Sequence, residues 1–184
     1  MNYFIQFLTY FRIFTAPTIF VLITLYDSYS WALLLFFLAS ISDYWDGFFA
    51  RKYNLESIVG AILDPIADKI LVTFLILALS LELSSVFIGM VGGMILAREF
   101  WVGALRDYNA RRLNNNATRV TKLAKIKTFI QFFTFSLYLL GLVFNNEFVL
   151  FISNFFLLLA LIITLQTGLQ YTIATFQINR DQSS

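Results

Sequence analysis

Apolar residues along the chain come in long runs broken by short polar stretches, and the runs define six segments: 11–26, 31–50, 58–81, 86–105, 123–144 and 148–176. Each is near the ~20 residues a helix needs to cross a bilayer, and the last is long enough to tilt or to extend past it. The pattern predicts an all-α integral membrane protein with six transmembrane helices, forming a single domain over residues 1–184. Residues 1–10 are rich in Phe and Tyr but carry Asn2 and Gln6, which predicts an interfacial segment ahead of the first span. Residues 177–184 read as a polar tail. No basic residue precedes Arg12 and no small-residue cleavage site follows the first apolar run, so the first helix is expected to stay rather than be removed as a signal peptide.

Composition agrees with lipid rather than water as the main solvent: 59% of the 184 residues are hydrophobic and 18% aromatic, against roughly 45–50% apolar in a soluble domain. The polar breaks then alternate in charge. Those around Asp27, Glu82 and Glu147 hold no Lys or Arg. The others hold Arg51 and Lys52, then Arg106, Arg111, Arg112, Arg119, Lys122, Lys125 and Lys127, with Arg180 in the tail. An excess of basic residues marks the cytoplasmic side, so both termini and the basic loops are expected there, with a polar active-site cavity at the cytoplasmic face. The absence of Cys and His excludes disulfides, thiolate nucleophiles, imidazole bases and zinc sites of the usual kind. A net charge of +2 gives no argument for nucleic acid.

The acidic residues inside the helices carry the chemistry. Around the second helix Asp46, Gly47 and Ala50 fall within about 60° of Asp43, and Arg51 lies at about 80°. On the third, Gly60, Asp64 and Asp68 recur at i, i+4 and i+8 and share a face. The short connection between these helices predicts antiparallel neighbours whose acidic faces meet near the cytoplasmic end. Carboxylates that close in a low dielectric need compensation, and a divalent cation supplies it. Oxygen donors alone point to Mg²⁺ or Mn²⁺, and four carboxylates suffice for a two-metal site. Such ions complete their shells with phosphate oxygens, so the substrate is expected to be phosphorylated. Gly47 and Ala50 leave room for a flat base or a pyrophosphate against the backbone, and Arg51 suits a bidentate phosphate grip. The competing reading is packing ion pairs, Asp43 or Asp46 with Arg51 and Asp64 or Asp68 with Lys69. A transporter whose acids line a pathway is a further alternative, although its ionisable groups would be spread over both leaflets.

The series Asp43-x2-Asp46-Gly47-x2-Ala50-Arg51-x8-Gly60-x3-Asp64-x3-Asp68 resembles, at every fixed position, the signature of the CDP-alcohol phosphatidyltransferase family. The resemblance implies transfer of a phosphatidyl group from a CDP-lipid to an alcohol with release of CMP. It further implies that Asp43, Asp46 and Asp64 bind metal with the diphosphate, and that Asp68 is both the base for the acceptor hydroxyl and a metal ligand. Gly47, Ala50, Arg51 and Gly60 are then expected to hold the CDP moiety with Asp43, Asp46 and Asp64. A homodimer in a bacterial-type inner membrane is implied by the same resemblance.

The second half is similar to the branch of that family whose acceptor is glycerol 3-phosphate. The matching stretches are Ala97-Arg98-Glu99 with Leu105-Arg106, and Lys125-Ile126-Lys127-Thr128 followed by Gln131. Arg98, Arg106, Lys125 and Lys127 are the cations expected to bind the acceptor phosphate. Lys125 and Lys127 are about 200° apart on a helix, so both can face one pocket only if the helix begins between them. Ala124 replaces a glycine of the branch pattern. At the N-terminus Thr9 and Arg12 fit the family's Pro-Asn-x-x-Thr-x-x-Arg, whereas Ile5 and Gln6 stand in place of Pro and Asn. Other members, of cardiolipin synthase or inositol-phosphate type, are the alternative within the family.

Overall fold

The computed structural model describes the backbone of residues 2–53, 58–111 and 122–181, and side chains over 7–42, at 45, over 63–111 and over 126–177. Six helices follow in order: α1 (Asn2–Thr24), α2 (Tyr29–Tyr53), α3 (Ile58–Glu82), α4 (Val86–Arg111), α5 (Lys122–Val143) and α6 (Glu147–Asp181). Among the described residues there is no strand. The interfacial segment expected over 1–10 is, from Asn2 onward, the unbroken start of α1, and α6 carries the expected tail in helix as far as Asp181.

Among the described residues, four helices contain stretches long and apolar enough to cross a membrane: Phe7–Thr24, Val86–Arg111, Ile126–Val143 and Glu147–Gln177. The chain is an integral membrane protein by that measure. In α2 the described residues give a shorter apolar stretch, Tyr29–Ser42. The remaining helix, α3, carries Asp64, Asp68, Lys69 and Glu82, a charge load that an unaided span does not hold.

Three tight turns join α1 to α2, α3 to α4 and α5 to α6. Each closes on a left-handed residue: Asp27 (φ 49°), Ser84 (φ 45°) and Asn145 (φ 45°). In the second and third, the next amide reaches back to cap the finished helix, Ser85 N–H to Ser80 O and Asn146 N–H to Gly141 O, both at 2.9 Å. The same two residues cap the helix that follows, because Ser85 Oγ accepts from Ile88 N–H at 3.3 Å and Asn146 Oδ1 from Val149 N–H at 3.2 Å. Turns this short force antiparallel pairs, so all three lie at one end of the bundle. The other helix ends, which among the described residues carry Arg106 and Arg111 of α4 and Lys127 of α5, therefore share the opposite, basic end.

Apolar stripes at heptad-like spacing build one core: Ala16, Ile19 and Ile23 of α1, Leu71, Leu75 and Leu79 of α3, Ile88, Val91 and Ile95 of α4, Leu139 of α5 and Leu157 of α6. Phe36 of α2 stacks on Phe132 of α5 with ring centroids 5.0 Å apart. The packing pairs are α1 with α2 and α3, α3 with α4, α4 with α6, α5 with α6, and α2 with α5. The direct α2–α3 packing expected from the short connection is replaced, among the described residues, by α1 packed along both. Those two helices meet at the turn end, where Tyr29 Oη donates to Glu82 Oε1 at 2.5 Å.

Towards the basic end the core stripes change character on the same helix faces. On α4 the stripe Ile88, Val91, Ile95 continues as Arg98, Val102 and Asn109. On α5 the buried positions are Lys127, Gln131 and Thr134, and on α6 Thr164, Thr167, Tyr171 and Thr175. A seam that is apolar at the turn end thus becomes polar at the basic end, and this places the candidate site.

Candidate active site

Two polar clusters lie at the basic end. The first joins α1 to α3. Arg12, fully buried, donates from Nη1 to Asp68 Oδ1 at 2.6 Å and from Nη2 to Asp64 Oδ1 at 3.1 Å. Thr9, one turn earlier on α1, donates its hydroxyl to the same Asp64 oxygen at 2.8 Å. The helical spacing explains the reach: Thr9 and Arg12 at i, i+3 face Asp64 and Asp68 at i, i+4 across two helices running in the same direction. A guanidinium fork suits two carboxylates at once, which an ammonium cannot match.

This geometry corrects the packing alternative for α3. Asp64 and Asp68 pair with Arg12 rather than with Lys69, whose ammonium lies 5.3 Å from the centroid of the Phe100 ring on α4. It also adds two residues absent from the sequence-derived candidates, Arg12 and Thr9. Their signal was present: a lone arginine inside an apolar helix requires an acidic partner, and both matched the family's N-terminal pattern.

The Asp64 and Asp68 side chains are 35% and 54% exposed despite the buried arginine beside them. Two carboxylates facing one guanidinium keep an excess of hard oxygen donors at an accessible position. That donor set fits Mg²⁺ or Mn²⁺. The other acids expected there, Asp43 and Asp46, lie on α2 together with Gly47, Ala50 and Arg51, and Gly60 lies on α3. Their backbone is helical, as the face argument requires, and their side chains lie outside the described residues.

Beside α1 and α2 at this end runs an apolar groove of about 500 Å³, lined by Phe7, Leu8, Phe11, Leu38, Ile41, Ser42 and Trp45. Leu8 and Phe11 flank Thr9 in sequence, and Ser42 precedes Asp43. The apolar slot and the cluster of Arg12 with Asp64 and Asp68 therefore share helix α1.

The second cluster joins α4, α5 and α6. Arg98, 8% exposed, donates from Nη1 to Glu99 Oε1 at 3.2 Å and from Nη2 to Thr167 Oγ1 at 2.6 Å. The ammonium of Lys127, equally buried, also donates to Glu99 Oε1. One carboxylate oxygen thus serves two buried cations, and the trio keeps an excess positive charge that suits an anion.

Of the four expected acceptor cations, Arg98 and Lys127 are brought together. Arg106 sits two turns further along α4, its guanidinium 5.5 Å from the centroid of the Tyr171 ring of α6. The side chain of Lys125 lies outside the described residues. Helix α5 begins at Lys122, before both lysines, so the condition for Lys125 and Lys127 to share a pocket is not met. Glu99 and Thr167 are the members of this cluster that sequence reasoning did not single out as site residues.

The family model described as CDP-alcohol phosphatidyltransferase matches residues 5–166. A protein of Rickettsia bellii named CDP-diacylglycerol–glycerol-3-phosphate 3-phosphatidyltransferase is 43% identical over 139 residues, which covers 75% of this chain and 75% of that protein. A protein of the same name from Blochmanniella floridana is 33% identical over 177 residues, covering 94% of this chain and 90% of its own length. Another from Salmonella choleraesuis is 34% identical over 128 residues, or 67% of this chain and 69% of that protein. With the family model spanning most of the sequence and relatives at this identity aligned over so much of it, the chain belongs to the CDP-alcohol phosphatidyltransferase family.

Proposed function

We propose that the protein transfers the phosphatidyl group of CDP-diacylglycerol to glycerol 3-phosphate, giving phosphatidylglycerophosphate and CMP. The observation that carries this reading is the pairing, at one end of the bundle, of a half-exposed acidic cluster with a buried cation pair short of negative charge. The first suits a metal-bound diphosphate and the second a phosphorylated acceptor. The printed name shared by the relatives supports the same donor and acceptor.

In this reading Asp68 takes the proton of the acceptor hydroxyl as its oxygen attacks the β-phosphorus, and the phosphoanhydride bond to CMP breaks. Arg12 holds Asp68 and Asp64 in place, so the base does not have to be ordered during the reaction. Asp43, Asp46, Asp64 and Asp68 would hold Mg²⁺ or Mn²⁺, whose chemistry is to offset the diphosphate charge and to acidify the hydroxyl. Gly47, Ala50, Arg51 and Gly60 belong to the CDP side of the site. Arg98 and Lys127 receive the acceptor phosphate, with Arg106 and Lys125 as further cations at the same helix ends. The groove beside Leu38 and Ile41 takes an acyl chain of the donor. We assign the basic end to the cytoplasm, six spans to the bilayer, a bacterial-type inner membrane as the location and a homodimer as the assembly.

CMP release from CDP-diacylglycerol, measured over a panel of alcohols with Mg²⁺ or Mn²⁺ present, tests the reading. Stimulation by glycerol 3-phosphate, lost on chelation, is expected. Stimulation by inositol phosphate or phosphatidylglycerol in its place would move the protein to another branch of the family.

A further inference from the structure

Arg98 stands on the face of α4 that packs against α6, and a buried guanidinium at a helix contact needs both space and a partner. A single turn of α6 supplies them. Thr167 Oγ1 accepts from Nη2 at 2.6 Å. Gly168 leaves open the space through which the arginine stem passes: a Cβ there would lie 3.0 Å from both Cγ and Nε of Arg98. Thr167 is itself fixed, being 1% exposed with its hydroxyl 2.9 Å from Ile163 O, one turn back. A hydroxyl has one hydrogen, so donation to that carbonyl leaves a lone pair turned to the guanidinium. On the other side Glu99 holds Nη1. The buried Nε of Arg98 has no acceptor among the described residues. The fork is thus held by one hydrogen bond at each tip, while the Nε–H remains for another group.

We propose that Thr167 and Gly168 are positioning residues of the acceptor site. Together they set the depth and orientation of the Arg98 guanidinium, and through it the preference for a phosphorylated over an uncharged alcohol. Recognition of a tetrahedral anion by a planar fork is sensitive to angle, so a displaced arginine binds phosphate less well while the acidic cluster is untouched. The inference rests on the reading of Arg98 as a phosphate-binding residue. The residues concerned lie on α6, outside every motif read in the sequence.

The test is steady-state CMP release by the full-length protein in mixed micelles, with KM for glycerol 3-phosphate and for CDP-diacylglycerol measured separately. Thr167→Val keeps the volume and removes the lone pair. Gly168→Ala pushes on the stem and raises helix propensity, which keeps a folded variant in hand. Each is expected to raise the acceptor KM about tenfold, the worth of one hydrogen bond to a charged group. Both kcat and the donor KM stay within about twofold. Thr167→Ser restores the acceptor KM. Arg98→Ala is measured alongside. An unchanged acceptor KM in Arg98→Ala removes the reading on which the inference rests. A raised one in Arg98→Ala, with Thr167→Val and Gly168→Ala unchanged, overturns the positioning role alone. A joint fall in kcat, donor affinity and thermal midpoint in both α6 variants would mark a general packing role and also overturn it.

Discussion

Arg12 of α1 donates to Asp68 of α3 at 2.6 Å, and the arginine is fully buried while the aspartate side chain is 54% exposed. The relationship is asymmetric: the cation is a fixed internal anchor, and the carboxylate is the group presented outward. An arginine sealed inside a helix bundle is stable only with its acids in place, so α1 holds the acidic face of α3 in one geometry.

Replacing that anchor should therefore cost both fold and activity. Arg12→Ala is expected to destabilise the protein by about 1.5–3 kcal/mol, the worth of hydrogen bonds to charged groups, because the carboxylates left behind are partly exposed. Arg12→Lys keeps the charge but not the fork, so it should fold better than Arg12→Ala and still lose most turnover. Thermal unfolding in detergent and CMP release, run on both variants, check this. Arg12→Lys with wild-type turnover would show that bidentate anchoring is unnecessary.

Asp68→Asn separates the base from the anchor. The amide keeps an oxygen for Arg12 and the same volume, but it cannot accept a proton. Turnover should fall about 10²- to 10⁴-fold, the range expected for loss of a positioned general base. CDP-diacylglycerol binding and the thermal midpoint should change little. A modest loss of turnover, with a folded protein, would move the base elsewhere.

How far this site was legible in the sequence depends on the distance over which each argument works. The helices follow from apolar runs, and Asp64 and Asp68 share a face by spacing alone, both being local properties. Hydropathy follows the lipid-facing part of a helix and so does not mark where α1 and α6 end as helices. Asn2, Gln6, Gln177 and Asn179 are polar but compatible with helix, and the backbone continues through them. The α2–α3 contact was inferred from a short connection, which fixes where two helix ends are but not what lies between their bodies. Here α1 packs against both. Arg12 with Asp68, Arg98 with Thr167, and Lys127 with Glu99 are pairings 56, 69 and 28 residues apart in sequence. Only the tertiary packing brings such partners together, and each was visible beforehand only as a charge in need of one.

The apolar groove gives a separate prediction for the donor. Leu38 and Ile41 line it and are 44% and 50% exposed, so a larger side chain can be placed there without disturbing the core. Leu38→Trp or Ile41→Trp should raise KM for long-chain CDP-diacylglycerol and leave KM for glycerol 3-phosphate unchanged. A short-chain donor should be affected less. Equal sensitivity of both donors would remove the acyl chain from this groove.

The turn at Ser84 is a site for stabilisation away from the chemistry. A left-handed φ of 45° costs a residue with a Cβ about 1 kcal/mol or more. Glycine avoids that cost, though its larger entropy loss on folding offsets roughly half of it. Ser84→Gly should raise stability by about 0.5 kcal/mol with unchanged turnover. Asn145→Gly, at the same φ, should gain less because asparagine adopts this conformation more readily. Differential unfolding in detergent distinguishes the two.

Glu99 decides whether the second cluster is an anion site in waiting. Its carboxylate serves both Arg98 and Lys127, whose side chains are 7% and 10% exposed. Glu99→Gln leaves two buried cations without a counter-charge, and stability should fall by about 3–5 kcal/mol. An anion that binds only the folded protein raises its stability by mass action. Inorganic phosphate or glycerol 3-phosphate should therefore shift the thermal midpoint of Glu99→Gln upward by more than that of the wild type, because the competing carboxylate is gone. Lys127→Gln supplies the opposite case: it leaves the neutral Arg98–Glu99 pair, so the fold should be kept and the phosphate-induced shift lost. Equal phosphate shifts in all three proteins would place the acceptor phosphate away from this cluster.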